Sequence, residues 1–388
     1  MKKSLKIITI CMLAILCSIS FVIFASCNKV DPTYIDESKL YYDSSSYYGL
    51  YFYGPNHSLE NEDMIRSSKD MSTKYFDPNK PTLIWIHGWE PTYSYTDKTL
   101  STSSDMQAKA GVDYKESYVV SLKEKYNVAT FQYQTLVDGN ASGIAANLLT
   151  IYPNTFINAE KTGYSMGYMF ASELCLNLGG SYNQEIVYVG HSCGAFVTTA
   201  VNYYIQYFLN NKIVNNRNLL ASRMALVDPY FTSAGYEDQV GKTVYFTGDK
   251  INSKKTLHLV SLVNSLVQDK DVAVDIYLAM SMASGSIYNG SGLTEEEYNT
   301  LSSNSSIVYM EGLRKRYKDN NIHVLTRDWF FMSANTNKVL DNEGNAGPSL
   351  ALSTSEIKAL RGKQYKQTLQ NIDPSSDSFT LVDTLYAR

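Results

Sequence analysis

The sequence is poor in cysteine and histidine, with five of each in 388 residues. They are not spaced as zinc ligands are, so the sequence predicts no metal site and no other cofactor. Cys11 and Cys17 lie in an N-terminal apolar segment, and only Cys175 and Cys193 follow Cys27. Beyond Cys27 at most one intramolecular disulfide can form, so a hydrophobic core is expected to hold the fold together.

An excess of positive charge is absent as well. The formal net charge is −4, with 19% charged and 44% hydrophobic residues. No basic face is implied, and this argues against a nucleic-acid partner. Internal repeats and interdomain linkers are also missing, so residues 47–388 are expected to form one domain.

The N-terminal segment has the layout of a secretory signal. Lys2, Lys3 and Lys6 precede an apolar run over residues 7–24, and small residues follow before Cys27. An uncleaved membrane anchor is the alternative, because the run approaches the ~20 residues that span a bilayer. Either interpretation places the folded part outside the cytoplasm and tethers it to a membrane.

The end of this segment, FASC, resembles the bacterial lipoprotein signal, although Phe24 stands where leucine is usual. The resemblance implies that residues 1–26 are removed as a signal peptide and that Cys27 is lipidated. The protein is then expected to be exported and lipid-anchored at the cell membrane or cell surface. Residues 27–46 are polar and are predicted to be a tether.

Further along, apolar strand patterns alternate with helical ones. PTLIWIHGW, NVATFQY, EIVYVGHS, RMALVDPYF and VAVDIYLAM are typical of buried strands. Helices are predicted over residues 159–178 and in AFVTTAVNYYIQYFL and KTLHLVSLVNSLV. This alternation predicts an α/β domain with a mostly parallel sheet covered by helices on both faces. Residues 334–388 are expected to be a tail with one helix.

One glycine-flanked serine lies between a predicted strand and a predicted helix. Ser192 is the centre of a G-x-S-x-G pattern, Gly190 to Gly194. A sharp strand-to-helix turn strains the serine backbone, and side chains two residues to either side are expected to collide with it. The helix N-terminus offers N–H groups to an oxyanion. Ser192 is therefore predicted to be a nucleophile.

A serine nucleophile needs a histidine to accept its proton and an acid to orient that histidine. The candidates are His57, His87, His191, His258 and His323. His191 cannot turn back to its neighbour and is expected to pack beneath the turn, while His57 and His87 lie in earlier loops. The chain order serine, acid, histidine leaves His258 and His323. His258 lies inside an amphipathic helix, so His323, in a loop leading into a helix, is favoured.

Two aspartates compete for the role of the acid. Asp228 ends an apolar strand and precedes Pro229, so it is expected to project from the carboxyl edge of the sheet, where such folds place their sites. Asp275, in AVDIYLAM, is the rival. Asp228 is favoured.

These motifs together resemble the pancreatic-type lipase family of the α/β hydrolases. The shared segments are PTLIWIHGW, VYVGHSCGA, ALVDPYF and, more loosely, HVLTRDWFFMS. The resemblance implies Ser192 as nucleophile, Asp228 as acid, His323 as base, and an oxyanion hole from the backbone N–H groups of Trp89 and Cys193. The sequence departs from the family in lacking its lid disulfide and its C-terminal sandwich domain, and Cys193 replaces the commoner leucine.

The function expected from this resemblance is hydrolysis of carboxylic esters by a serine hydrolase that forms an acyl-enzyme. The substrates are lipids or short- and medium-chain acyl esters. The alternatives are an amide or peptide hydrolase on the same fold and an inactive, surface-binding lipoprotein. Two segments could cover the site. The helix in LHLVSLVNSLV is expected to pack in the core instead of forming a lid, and the polar NGSGLTEEEYNTLSSNSS is expected to be mobile.

Overall fold

The computed structural model describes the residues of a large β-sheet and of the helices that cover it. The ranges are residues 31–43, 49–56, 63–68, 73–88, 118–132, 166–192, 194–229, 244–246, 249–251, 259–279, 293, 295–316, 321–368 and 372–385.

An 11-stranded mixed sheet dominates this part of the chain. In chain order its strands are β1 (Gly49–Tyr53), β2 (Met64–Arg66), β3 (Thr82–Ile86), β4 (Asn127–Gln132), β5 (Ile186–His191), β6 (Arg223–Val227), β9 (Ala273–Leu278), β10 (Ser306–Tyr309), β11 (Leu340–Asp341), β12 (Gln364–Gln367) and β13 (Ser378–Val382), while β7 (Val244–Phe246) and β8 (Asp249–Ile251) form a separate hairpin. The spatial order is β11-β13-β12-β10-β9-β6-β5-β3-β4-β1-β2. Every neighbouring pair from β4 to β12 is parallel, and β1, β2 and β13 add antiparallel pairings towards the edges. The predicted mostly parallel sheet is confirmed.

Helices cover both faces of this sheet. They are α1 (Tyr118–Lys123), α2 (Met166–Leu178), α3 (Gly194–Asn210), α4 (Leu259–Lys270), α5 (Glu295–Asn304), α6 (Glu311–Arg316), α7 (Asn321–Met332) and α8 (Thr354–Ala359). Successive strand residues point to opposite faces, so Ile84 and Ile86 pack with α2, α3 and α4 while Leu83 and Trp85 pack with α1 and α7. A strand buried on both faces explains why the sequence of β3 is a continuous apolar run.

The strand order changes direction beside β3. From β3 the chain goes to β4 on one side, and it then returns to β5 on the other side of β3. Ligands of open α/β sheets bind at such switch points, outside the carboxyl ends of the strands. The segments after β3 and β5 meet at this point, and the second carries Ser192.

The C-terminal region is more than the expected tail with one helix. It does hold a single described α-helix, α8, but it also supplies β11, β12 and β13 to the sheet. β12 pairs in parallel with β10 and extends the central part of the sheet.

Part of the predicted N-terminal tether is docked on the fold. Ile35 forms an antiparallel bridge with Val214, and the N–H of Asp36 donates to the carbonyl of Ile213 at 2.8 Å. This contact lies just beyond the C-terminal end of α3, whose 17 residues span ~25 Å from the Ser192 turn. The docked segment is therefore at the end of the fold opposite to Ser192. None of the described helices is long and apolar enough to cross a bilayer.

Candidate active site

Ser192 lies in the turn between β5 and α3, at the carboxyl edge of the sheet. Its φ of 55° is in the left-handed region, which costs a non-glycine residue of order 1–3 kcal/mol. Its backbone N–H donates to the carbonyl of Val227 at 3.0 Å, which extends the β5–β6 pairing one residue past the strand and holds the turn. Ser192 is buried, with 9% of its surface exposed. The strained strand-to-helix turn predicted from the glycine pattern is confirmed.

The two glycines of the pattern are required by close approaches, although not by the predicted ones. A Cβ on Gly190 would lie 2.5 Å from Oγ1 of Thr198 and 2.9 Å from the α-carbon of Ala195. A Cβ on Gly194 would lie 2.3 Å from the carbonyl oxygen of Ile86. The collisions would be with α3 and β3, and not with the serine as expected. The glycines therefore let α3 start directly against the sheet.

Asp228 follows β6 directly, beside the Ser192 turn. It too has a positive φ, 41°, and its N–H donates to the carbonyl of Tyr277 on β9 at 2.6 Å. Its carboxylate is buried, and Oδ1 accepts the N–H of Ala279 at 2.8 Å. The backbone after β9 thus fixes one carboxylate oxygen of Asp228, and the other oxygen, Oδ2, can accept a second hydrogen bond.

That second oxygen contacts His323. Nδ1 of His323 lies 2.5 Å from Oδ2 of Asp228, a hydrogen bond between residues 95 positions apart. A carboxylate can only accept, so Nδ1 carries the proton and Nε2 is the nitrogen that can receive one. His323 is in the first turn of α7, and not in a preceding loop as predicted. Its side chain is 20% exposed, which leaves the ring accessible.

His191 joins this pair to the serine turn. Its ring centroid lies 4.3 Å from that of His323, and its Nε2 lies 3.1 Å from the backbone carbonyl oxygen of His323. Because His191 immediately precedes Ser192, the contact brings the strained turn and the Asp228–His323 pair to one place. Burial lowers the pKa of His191 well below its usual value, and the neighbouring His323 and Arg327 lower it further.

The contact between His191 and His323 was not foreseen. The sequence predicted only that His191 packs beneath the turn. No local signal marks its partner, which follows 132 residues later. The positive φ of Asp228 was also missed, because a residue before proline usually has an extended backbone, although aspartate tolerates the left-handed region.

Asp275, the other candidate for the acid, pairs with an arginine and not with a histidine. Its carboxylate accepts Nε and Nη2 of Arg223 at 2.9 and 2.6 Å, and it also accepts the hydroxyl of Tyr277 at 2.8 Å. It is fully buried on β9, level with Ala225. Burial opposes the charge on Arg223, yet the carboxylate raises the pKa of the guanidinium above its ordinary value. Asp275 is therefore half of a buried ion pair away from the carboxyl edge.

Several predicted residues lie outside the described part of the chain. They are Cys27, His57, Trp89, Cys193 and His258. Their predicted roles stay predictions. His87 is described and is buried at the end of β3, with Nδ1 2.7 Å from the carbonyl oxygen of Gly88.

The two segments expected near the mouth of the site have different outcomes. In α4 the side chains of Leu262, Val263, Leu266 and Val267 belong to the core packed on the sheet, so the predicted core helix is confirmed. The expectation of a mobile polar segment is wrong for residues 295–304, which form α5. Tyr298 and Leu301 anchor α5 because both are buried in the same core.

Among the described residues no group of His, Cys, Asp or Glu is arranged to hold a metal ion. The chain matches no protein-family model, and none of the curated proteins matches it.

Proposed function

We propose that this chain is a serine hydrolase with an α/β-hydrolase fold that cleaves carboxylic esters. The observation that carries the proposal is the hydrogen bond between Asp228 and His323 beside the strained turn of Ser192. The acid and the base are in contact, and both lie beside the turn that carries the Ser192 hydroxyl at the carboxyl edge of the sheet. The pairing of an aspartate with Nδ1 of a histidine is the arrangement that activates a serine.

Each residue then has one role in the reaction. Ser192 Oγ attacks the ester carbonyl carbon while Nε2 of His323 takes its proton. Asp228 holds Nδ1–H and stabilises the imidazolium that forms. His323 returns the proton to the leaving alcohol, which leaves an acyl group on Ser192. A water molecule, deprotonated by His323, then releases the acid and restores the serine.

The oxyanion is assigned to backbone donors on the basis of the resemblance to lipases. These are the N–H groups of Trp89 and Cys193, the residues that follow Gly88 and Ser192 in the chain. Gly88 supports this placement, because a Cβ there would lie 2.9 Å from Cβ of Ser192. Gly88 therefore lies directly against Ser192. A fixed oxyanion donor typically contributes about 10²–10³ in kcat.

The substrates we propose are short- and medium-chain acyl esters and lipids that enter a site not closed by α4. The support is that the apolar side chains of α4, the helix that could have been a lid, pack in the hydrophobic core. Export and a membrane tether through Cys27 are part of the proposal and depend on the sequence of the N-terminal segment. No cofactor or metal is required for the steps above.

A fluorophosphonate probe tests the proposal, because it phosphonylates only an activated serine. We expect one labelled peptide containing Ser192, and no labelling or ester hydrolysis in the Ser192→Ala variant, with kcat reduced on the order of 10⁴–10⁶. Ser222→Ala is the matched control, since Ser222 precedes β6 at the opposite edge of the sheet. Labelling of another serine, or none in folded protein, would refute the enzyme proposal. An amidase is indicated if amides are cleaved faster than esters.

A further inference from the structure

The candidate base is held from two sides, and only one of them belongs to the proposed triad. Asp228 holds the His323 ring at Nδ1, and His191 holds the His323 backbone at its carbonyl oxygen. We propose that His191 is a positioning residue that fixes His323 in register with Ser192. This inference rests on the proposed function, because it concerns the same site.

The direction of the second hydrogen bond is fixed by chemistry. A carbonyl oxygen can only accept, so Nε2 of His191 carries the hydrogen. In a helix the carbonyl of His323 also accepts the N–H four residues later, and its second lone pair serves His191. The bond is therefore an addition to the helix, and losing it leaves α7 able to form.

His191 is itself held rigidly by the sheet. It is the last residue of β5, its ring stacks on Trp85 of β3 at 6.2 Å, and it is buried. A Cβ on Gly88 would lie 3.3 Å from its Nδ1, so the ring also has little room on that side. The donor thus has a fixed position relative to Ser192, the next residue in the chain.

The environment also keeps this donor neutral. Burial lowers the pKa of His191 well below its ordinary value, and His323 and Arg327 add to the effect. A neutral imidazole can donate to the carbonyl without placing a second positive charge beside His323 when His323 takes a proton. A permanently charged lysine or arginine at position 191 would oppose that step.

The test compares His191→Phe with His191→Gln in the full chain. Phenylalanine keeps an aromatic ring against Trp85 and His323 but has no donor, whereas glutamine keeps a donor at a similar distance from the backbone. We expect His191→Phe to lower kcat for a soluble ester on the order of 10–100-fold with little change in KM, because small misplacements of a catalytic group have effects of this size. His191→Gln should recover most of this loss.

A proton NMR measurement supplies a readout that a purely structural role would not move. The Nδ1 proton of His323, hydrogen-bonded to the carboxylate of Asp228, is expected to give a downfield signal in wild type and in His191→Gln, and a shifted or broadened one in His191→Phe. Thermal melts establish that each variant is folded. Wild-type kcat and an unchanged proton in His191→Phe overturn the inference, as does equal impairment of both variants.

Failure of the proposed function is recognised separately. If wild type neither binds the fluorophosphonate nor hydrolyses esters, the hydrolase proposal fails. The downfield proton still decides whether His191 positions His323, because that signal does not depend on turnover.

Discussion

Asp228→Asn is the substitution that tests the proposed triad most directly, because the structure dictates how the new amide must sit. In the native protein Oδ1 of Asp228 accepts the N–H of Ala279 at 2.8 Å and Oδ2 accepts Nδ1–H of His323 at 2.5 Å. Asparagine has one oxygen and one NH₂ group. Its oxygen must face Ala279, since an NH₂ group there would meet another donor.

The NH₂ group of the asparagine then faces His323. Nδ1 can meet it only as an acceptor, which moves the ring proton to Nε2, the atom that should receive the proton of Ser192. The base is held in place but in the wrong tautomer. This fault in a Ser-His-Asp triad lowers kcat by about 10⁴, which corresponds to about 5.5 kcal/mol at 1.36 kcal/mol for each factor of ten.

The assay is the steady-state hydrolysis of p-nitrophenyl butyrate, with thermal melts of the same preparations. We expect Asp228→Asn to lose kcat while keeping a melting temperature close to wild type. The control is Asp275→Asn, which breaks the buried pair with Arg223 and should destabilise the fold by about 3–5 kcal/mol, while the protein that remains folded keeps its kcat. An unchanged kcat in Asp228→Asn would refute the assignment, and a loss of kcat confined to Asp275→Asn would transfer the role of acid to Asp275.

Further expectations concern the base, the pH response, the anchor and the substrate. His323→Ala should lower kcat as severely as Ser192→Ala, and His258→Ala should leave kcat near wild type; the reverse result makes His258 the base. Folding lowers the pKa of His191 from its ordinary value of 6.5. At a pH below 6.5 the unfolded chain therefore binds a proton at His191 that the folded protein does not bind. The free energy of unfolding should then fall by up to about 1.4 kcal/mol for each pH unit of acidification. Urea unfolding at pH 7 and pH 5 should therefore show a larger loss in wild type than in His191→Gln, and equal losses would contradict this. Mass spectrometry of the native N-terminal peptide should find a lipid on Cys27 and residues 1–26 missing, so an unmodified Cys27 or an intact Met1 would exclude the lipoprotein. A rate curve taken through the solubility limit of an ester should show no jump, whereas activity that begins only at that limit would indicate an interfacial lipase.

The central strands were predictable because their burial is visible in the sequence. β3, β5, β6 and β9 are covered on both faces, so each is mainly apolar, with Arg223 and Asp275 as the charged exceptions in β6 and β9, and the residue after β6 could be expected at the carboxyl edge. The chain order serine, acid, histidine then reduced the candidate bases to His258 and His323. The hydrogen bond between Asp228 and His323 could not be derived, because it depends on how α7 docks on the sheet.

β12 escaped prediction because polar side chains fill two of its three buried positions. In β12, Gln364 and Gln367 are buried, which no hydrophobic pattern can reveal. Each is satisfied by distant groups: Oε1 of Gln364 accepts the N–H of Leu385 at 2.9 Å, and Oε1 of Gln367 accepts the N–H of Leu313 at 3.0 Å. Buried amides of this kind are tolerated only when they are hydrogen-bonded, so the strand is specified by tertiary contacts.

The backbone at the proposed site holds two strained residues, Ser192 and Asp228, side by side. Both residues have positive φ angles, and both lie at the ends of adjacent parallel strands. Glycine adopts such angles without strain, and glycine is used two residues to either side of Ser192. Strained non-glycine residues persist where their surroundings over-determine them, and here the N–H groups of both residues continue the pairing of the sheet. Lys212 and Asp271 have positive φ angles in other turns, so the angle alone does not mark a site. What distinguishes Ser192 and Asp228 is that both lie at the carboxyl ends of neighbouring strands and beside His323, and this position supports the proposal that the two side chains are present for the reaction.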